Sequence, residues 1–292
     1  MGLAARPRRS ALYMPASNPR AMEKARSLPC DVVILDLEDA VAAEAKPAAR
    51  AAAADAVARG GFGRREVVVR VNALSTPWGA DDLAAMAECG PNAVLVPKIE
   101  SVGDVLDYSA GLDRAPPRTR LWAMIETCSA VFELKAIAAA EARTRLTAFA
   151  LGVNDLAKEM RAQQTADRAA FVPFLAMSVA AARAHGLAVL DGVHNEIDDL
   201  AALEAVCRQG AAFGFDGKTL IHPSHLEICN RIFSPAPEEV AWSRSVVAAF
   251  KAPENQGKGA LRVDGRLAEH LHLDQARQLI AVAEAIEAAE TT

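Results

Sequence analysis

Cysteine is sparse in this 292-residue sequence, and its five copies are widely scattered. No two of them stand at the Cys-x-x-Cys spacing, which argues against a zinc knuckle and against a redox dithiol. We therefore expect reduced, mostly buried thiols, as in a cytoplasmic protein. Long hydrophobic runs are absent too, because no uncharged apolar stretch approaches the ~20 residues that a membrane-spanning helix needs.

An excess of basic charge is also missing. The net charge is −5 and the isoelectric point is near 5.8, whereas binding to nucleic-acid phosphates requires a basic surface. Arg6, Arg8 and Arg9 are not followed by the apolar segment of a secretory signal. These features predict a cytoplasmic protein that has neither nucleic acid nor a membrane as its partner.

Short runs rich in Val, Ile and Leu alternate with alanine-rich helical stretches, a pattern typical of parallel βαβ units. Several of the short runs are continuously hydrophobic, as expected for strands that are buried on both faces. The predicted strands are residues 10–14, 32–36, 67–71, 93–97, 121–125, 148–151, 188–190 and 213–216. The predicted helices include residues 18–28, 42–58, 81–89, 130–140, 166–185 and 237–250.

Eight such strands favour a (β/α)8 TIM barrel over a doubly wound sheet. A nucleotide-binding open sheet would carry a Gly-x-Gly-x-x-Gly turn after its first strand, and none is present. We expect the barrel to occupy residues 1–250. Glycines and prolines in residues 251–265 predict a mobile connector before a final helix at 273–289, so residues 251–292 are interpreted as a lid or an interface extension.

Ionisable residues end or follow seven of the predicted strands, among them Asp36, Asp191, Asp216 and Lys218. In a TIM barrel all strands place their carboxyl ends around one rim, where catalytic groups are found. A polar ring at this rim above an apolar core therefore indicates an active site. Ordinary solvated loops are the alternative.

Glu126 and Asp155 follow neighbouring strands and are our candidate metal ligands. Two carboxylates, completed by water and substrate oxygens, suit Mg²⁺, which prefers octahedral oxygen coordination. The alternative is that they are loop carboxylates, with Asp155 as a helix N-cap. The metal assignment requires the two carboxylates to face each other without being neutralised by basic side chains.

Arg70 interrupts an apolar strand, and a charge near the buried end of a strand needs a partner. Its guanidinium suits the binding of a substrate carboxylate or of an enolate oxygen. An ion pair with Asp36 or Glu38 on the neighbouring strand is a structural interpretation that is compatible with this role.

The sequence resembles the citrate lyase β-subunit-like acyl-CoA lyases of the HpcH/HpaI superfamily, which include malyl-CoA, citramalyl-CoA and citryl-CoA lyases. The matching segments cover nearly the whole chain in order. They are Arg9–Pro15, Asp36–Val41 with Lys46 and Arg50, Arg70–Asn72, Pro97–Glu100, Met124–Thr127, Gly152–Leu156 and Gly217–Pro223.

The resemblance implies a (β/α)8 barrel in trimers or hexamers, with Mg²⁺ on Glu126 and Asp155 and substrate on Arg70. It also implies that the C-terminal extension covers the active site of a neighbouring subunit and supplies a carboxylate base. Glu269 stands here where aspartate is usual in the family, and it is our candidate base, with Asp36 or Glu38 in reserve. Lys24 is the candidate contact for a coenzyme A phosphate.

The predicted function is a Mg²⁺-dependent carbon–carbon lyase that uses an acyl-CoA and a small 2-oxo acid. One alternative is a citryl-thioester lyase subunit that acts within a citrate lyase complex on an acyl-carrier thioester. Another is a CoA-independent 2-oxo acid aldolase. Such aldolases use a histidine base early in the chain, whereas the first histidine of this sequence is His185.

Overall fold

A computed structural model describes residues 6–290. Residues 8–231 form a compact unit whose eight parallel strands hydrogen-bond in sequence order and close into a barrel. The strands are β1 (Ser10–Pro15), β2 (Val32–Asp36), β3 (Glu66–Arg70), β4 (Ala93–Val96), β5 (Arg120–Ile125), β6 (Leu146–Leu151), β7 (Ala188–Asp191) and β8 (Gly217–Leu220). The predicted (β/α)8 TIM barrel is therefore confirmed.

Nine helices of this unit follow or connect the strands. They are α1 (Pro19–Ala25), α2 (Lys46–Arg59), α3 (Gly79–Cys89), α4 (Val102–Gly111), α5 (Cys128–Ala139), α6 (Val153–Met160), α7 (Val172–Ala184), α8 (Leu200–Phe213) and α9 (Leu226–Ile232). Side-chain caps begin several of them: Asn18, Thr127 and Asp199 each accept a hydrogen bond from a backbone amide three residues further on.

The interior of the barrel is filled by side chains from alternate strand positions, because successive residues of a strand point to opposite faces. Val32 and Ile34 of β2 belong to this buried cluster, as do Trp122 and Met124 of β5. Two residues beyond Ile34 the same face carries Asp36, and two residues beyond Met124 it carries Glu126. The strand period thus places carboxylates directly above the apolar core.

Residues from 232 onward belong to a second compact unit. It contains α10 (Pro237–Lys251), the antiparallel strands β9 (Ala260–Val263) and β10 (Arg266–Glu269), and α11 (His270–Glu290). Its apolar core includes Val246, Leu261 and Leu273. The first unit ends at Arg231, so α10 belongs to the same unit as the C-terminal extension. The division of the chain into a barrel at 1–250 and a lid at 251–292 stays a prediction.

Two sequence-based assignments are wrong. The eighth strand lies at 217–220 rather than 213–216, because Phe213 ends α8 and Gly214, with φ of 93°, terminates that helix. The strand contains the charged but fully buried Lys218, so it does not show the hydrophobic pattern from which strands were predicted. The connector at 251–265 contains β9, whose alternate residues Leu261 and Val263 are buried.

In the part of the chain that the structure describes, no helix has the length and apolarity needed to cross a bilayer.

Candidate active site

A cavity of about 320 Å³ opens at the carboxyl ends of the barrel strands. This is the rim where TIM barrels place their catalytic groups. The side chains around the cavity combine an apolar floor with acidic, basic and amide groups. Its lining is Tyr13, Asp36, Asp39, Ala40, Arg70, Met124, Leu151, Gly152, Val153, Asn154, Asp155, Val193, Asn195, Thr219 and Ile221.

Arg70 and Asp36 form a buried, bidentate ion pair at this rim. They are register partners at the ends of β3 and β2. Arg70 Nε and Nη2 each donate to one Asp36 oxygen at 2.7 Å, and the two side chains are 9% and 1% exposed. Asp36 also accepts hydrogen bonds from the backbone amides of Glu38 and Ala40. With four donors on its two oxygens, Asp36 fixes the orientation of the guanidinium.

The remaining nitrogen of Arg70 faces the cavity side of the site. Its Nη1 lies 2.8 Å from Glu38 Oε2 and 3.2 Å from Asp39 Oδ2. The ring centroid of Tyr13 lies 4.7 Å from Arg70 Cζ, which adds a cation–π contact. The Asp39 side chain is 70% exposed, so an incoming anion can replace it on Nη1 without leaving a buried carboxylate unpaired.

The loop after β2 is held in place by a buried lysine. Lys46 Nζ donates to the carbonyls of Leu37 and Glu38 at 2.9 Å and to Asn72 Oδ1 at 2.7 Å. This loop keeps Glu38 against Arg70. Burial raises the pKa of Glu38 to about 8 despite the opposing charge of Arg70, and the neighbouring carboxylates add to the rise. Its carboxyl group is therefore tuned to exchange a proton near neutral pH.

Glu126 and Asp155 converge on one point, and the Lys98 ammonium lies there. Lys98 Nζ is 2.5 Å from Asp155 Oδ1 and 3.5 Å from Glu126 Oε1, and the Lys98 backbone amide donates to Glu126 Oε1 at 2.8 Å. The carboxylates therefore face each other, as a shared cation requires. The metal assignment also required that no basic side chain neutralise them, and Lys98 does so. That side chain is 41% exposed, so the protein does not enclose it.

Asp155 is not a helix N-cap, the alternative considered from the sequence. It lies in the first turn of α6, whose N-cap is Gly152 and which has no side-chain cap hydrogen bond.

The surroundings of Glu126 fit a small divalent cation. Its side chain is 1% exposed, and burial raises its pKa, an effect that the Lys98 charge and amide oppose. A Cβ atom at residue 152 would lie 2.5 Å from Glu126 Oε2, so only glycine leaves room for this carboxylate. Within residues 6–290, no group of three His, Cys, Asp or Glu side chains is arranged to hold a metal. Two carboxylate oxygens completed by water and substrate suit Mg²⁺ rather than Zn²⁺.

Lys24 is exposed on α1 and does not line the cavity. Glu269 ends β10 in the C-terminal unit, where its backbone amide donates to His272 Nδ1 at 3.0 Å.

Three of the strand-end ionisable residues do not belong to the polar ring, contrary to the prediction. Asp191 and Lys218 are fully buried and pair with each other at 3.0 Å, and Asp191 also binds Arg168. Asp216 pairs with Arg183 of α7 at 2.8 Å. These charges join β7 to β8 or join the strands to surrounding segments, and they do not line the cavity.

Sequence reasoning missed the roles of Lys98, Tyr13 and Gly152. Lys98 and Gly152 directly follow predicted strands and Tyr13 lies within one, and each is part of a segment that carried the resemblance. The alternation along β1 was the available signal for Tyr13, because it places this residue on the same face as Ala11 of the core. No comparable signal exists for Lys98, whose contacts depend on the turn after β4.

Known proteins are similar to this chain over nearly its whole length. The profile of the HpcH/HpaI aldolase/citrate lyase family matches residues 9–223. The chain belongs to this family. It is 45% identical over 284 residues to a (3S)-malyl-CoA thioesterase of Cereibacter sphaeroides, with 97% of each chain covered. It is 32% identical over 310 residues to an L-malyl-CoA/beta-methylmalyl-CoA lyase of the same species, again with 97% of each covered.

A solved structure is similar over the full length. It is protein CitE from Mycobacterium tuberculosis in complex with magnesium, acetoacetate and coenzyme A. It has a TM-score of 0.76 and 33% identity, and the match covers 97% of this chain and 99% of that chain. The relatives named here are thus enzymes that include both a lyase and a thioesterase, and the similar structure binds magnesium and coenzyme A.

Proposed function

We propose that this chain is a Mg²⁺-dependent carbon–carbon lyase that cleaves or forms a 3-hydroxyacyl-CoA of the malyl-CoA or citramalyl-CoA type. The observation that carries the proposal is the convergence of Glu126 and Asp155 on one cation position at a cavity that also contains Arg70. Named relatives that act on malyl-CoA, and a similar structure that holds magnesium and coenzyme A, support the same substrate class.

Arg70 is the proposed binding group for the anionic part of the substrate. Asp36 fixes two of its nitrogens, and Nη1 remains accessible once the exposed Asp39 is displaced. Mg²⁺ held by Glu126 and Asp155 would supply a Lewis acid for the carboxylate and the 2-oxo or 2-hydroxy oxygen of the small acid. The charged Arg70 beside this position favours the enolate that forms as the bond breaks, an electrostatic contribution of about 3 kcal/mol in comparable sites.

Glu269 is the proposed base, supplied by a neighbouring subunit of a trimer or hexamer. Two exposed leucines flank it, Leu267 at 62% and Leu271 at 54% exposure, and apolar surface of this kind is commonly covered by a partner. In cleavage the base takes the proton of the 3-hydroxyl group. The C2–C3 bond then breaks, and its electron pair becomes the enolate of the acyl-CoA, which is protonated at the α-carbon.

Glu38 is the reserve base. Its pKa of about 8 suits proton transfer near neutrality, and its carboxylate lies beside the guanidinium that would bind the substrate. Lys24 stays the proposed contact for a coenzyme A phosphate.

Hydrolysis of the thioester is the second candidate activity, favoured by one observation. The relatives with 44–45% identity are named (3S)-malyl-CoA thioesterases, whereas the relative named L-malyl-CoA/beta-methylmalyl-CoA lyase shares 32%. The same cation and arginine would bind the acid portion of malyl-CoA, and the base would activate water instead of the 3-hydroxyl group.

Product analysis separates the two reactions. Purified protein with Mg²⁺ and malyl-CoA or citramalyl-CoA should release glyoxylate or pyruvate, trapped as a phenylhydrazone, without free thiol. Free thiol with malate or citramalate, and no 2-oxo acid, would replace the lyase by the thioesterase. No reaction with either substrate would refute both activities.

Three variants test the assigned roles in the same assay. Glu126→Gln and Asp155→Asn should keep the circular dichroism spectrum of the wild type and lose turnover. Glu269→Ala should lower kcat by about 10²- to 10⁴-fold, the usual contribution of a general base, with little change in KM. A wild-type rate for Glu269→Ala would transfer the role of base to Glu38.

A further inference from the structure

Lys98 has an unusual backbone conformation at the metal position. It follows β4 with φ of 53°, in the left-handed region that residues other than glycine rarely adopt. In this conformation its amide N–H points at Glu126 Oε1, at a distance of 2.8 Å. Residues held in sparsely populated conformations cluster at functional sites.

The side chain of Lys98 also contacts Glu126, and it contacts Asp155 beside it. Its ammonium lies 2.5 Å from Asp155 Oδ1 and 3.5 Å from Glu126 Oε1. The position that would bind a divalent cation is thus filled by a monovalent one. Glu126 is 1% exposed and fixed, whereas the Lys98 side chain is 41% exposed and can withdraw into solvent.

We propose that Lys98 is a displaceable counter-ion of the metal centre: its ammonium neutralises Glu126 and Asp155 when the cation is absent, and Mg²⁺ binds only as this ammonium leaves. The proposal rests on the proposed metal site. The backbone amide of Lys98 keeps Glu126 in place both with and without the metal. The two carboxylates therefore stay together without repulsion before the metal arrives, at the expense of metal affinity.

Metal affinity measured without substrate tests this competition. Titration calorimetry with MgCl₂ alone compares the wild type with Lys98→Met, which keeps the length of the side chain and removes the charge. The ion pairs are partly exposed, so Lys98→Met should bind Mg²⁺ about two- to tenfold more tightly. Lys135→Met removes an exposed lysine of α5 and should leave the affinity unchanged.

If Mg²⁺ displaces the Lys98 ammonium, the amine becomes more accessible, which would not happen if Lys98 only repelled the cation. Amine acylation followed by mass spectrometry should show Lys98 becoming more reactive when MgCl₂ is added to the wild type. Lys135 in the same digest should keep its reactivity. Thermal unfolding in EDTA should show Lys98→Met below the wild type, because its two carboxylates are then unpaired, and Mg²⁺ should close that gap.

The outcomes separate this inference from the proposed function. Mg²⁺ binding that is equal in wild type and Lys98→Met, with unchanged Lys98 acylation, overturns the role of Lys98 and leaves the metal site intact. If Lys98→Met binds Mg²⁺ and the wild type does not, the inference is supported in its strongest form. An absence of Mg²⁺ binding by both proteins overturns the metal site and the role of Lys98 together.

Discussion

The buried pair of Asp36 and Arg70 gives the sharpest prediction about stability. The substitution Asp36→Asn preserves shape but removes the charge that meets two guanidinium nitrogens at 2.7 Å. Removing one partner of a buried pair costs about 3–5 kcal/mol, because the other charge stays buried. Arg70 keeps the Asp39 carboxylate as a partner at 3.2 Å, so we expect a loss of about 2–4 kcal/mol, below the full range of such pairs.

Urea denaturation followed by circular dichroism measures this loss. The matched control is Asp55→Asn, which removes the charge from an ion pair between Asp55 and Arg59 whose side chains are 61% and 60% exposed. Exposed pairs between residues i and i+4 contribute about 0.3–0.5 kcal/mol. A loss for Asp36→Asn no larger than that for Asp55→Asn would refute the argument that this pair is buried and well organised.

Three further predictions concern charge and packing. Because the pKa of Glu38 is raised from 4.5 to about 8, the folded state binds this proton more tightly than the unfolded state. Stability should therefore fall as pH rises from 4.5 to about 8, and Glu38→Gln should flatten that slope. Gly152→Ala should weaken Mg²⁺ binding at least tenfold, because its methyl group would meet Glu126. Asp191→Asn should destabilise the fold by about 3–5 kcal/mol, since it leaves the Lys218 ammonium buried.

Urea denaturation tests the two predictions about stability, and calorimetry tests the one about Mg²⁺ binding. Urea midpoints at several pH values test Glu38, and an unchanged slope in Glu38→Gln would contradict its raised pKa. Calorimetry with MgCl₂ tests Gly152→Ala against Gly259→Ala, whose added methyl group would meet no atom within 4 Å. Equal Mg²⁺ affinities in the two variants, or wild-type stability of Asp191→Asn, would show that the contacts described for these residues are not maintained in solution.

Much of the barrel could be predicted because strands buried on both faces leave a strong pattern. Residues 32–36 were predicted as they are observed, and most other strands differ by one or two residues at an end. The eighth strand was missed because Lys218 is charged and yet fully buried. Only the tertiary contacts with Asp191 and Gly192 make that burial favourable, and no local pattern reveals them.

The candidate site was predictable where a residue continues the alternation of its strand. Arg70 and Asp36 meet because they are register partners, and Glu126 lies above Met124 on the inner face of β5. The position of Lys98 could not be predicted, since it depends on a left-handed turn that its sequence does not favour. The place of Glu269 in the active site depends on a neighbouring subunit and stays a proposal.

The binding of Mg²⁺ to Glu126 and Asp155 is the central claim, and calorimetric titration of the substrate-free protein tests it most directly. We predict that the wild type binds one Mg²⁺ per chain, and that Glu126→Gln and Asp155→Asn each lose at least tenfold in affinity while remaining folded. Wild-type affinity in both variants would contradict the claim, because the cation would then be held elsewhere.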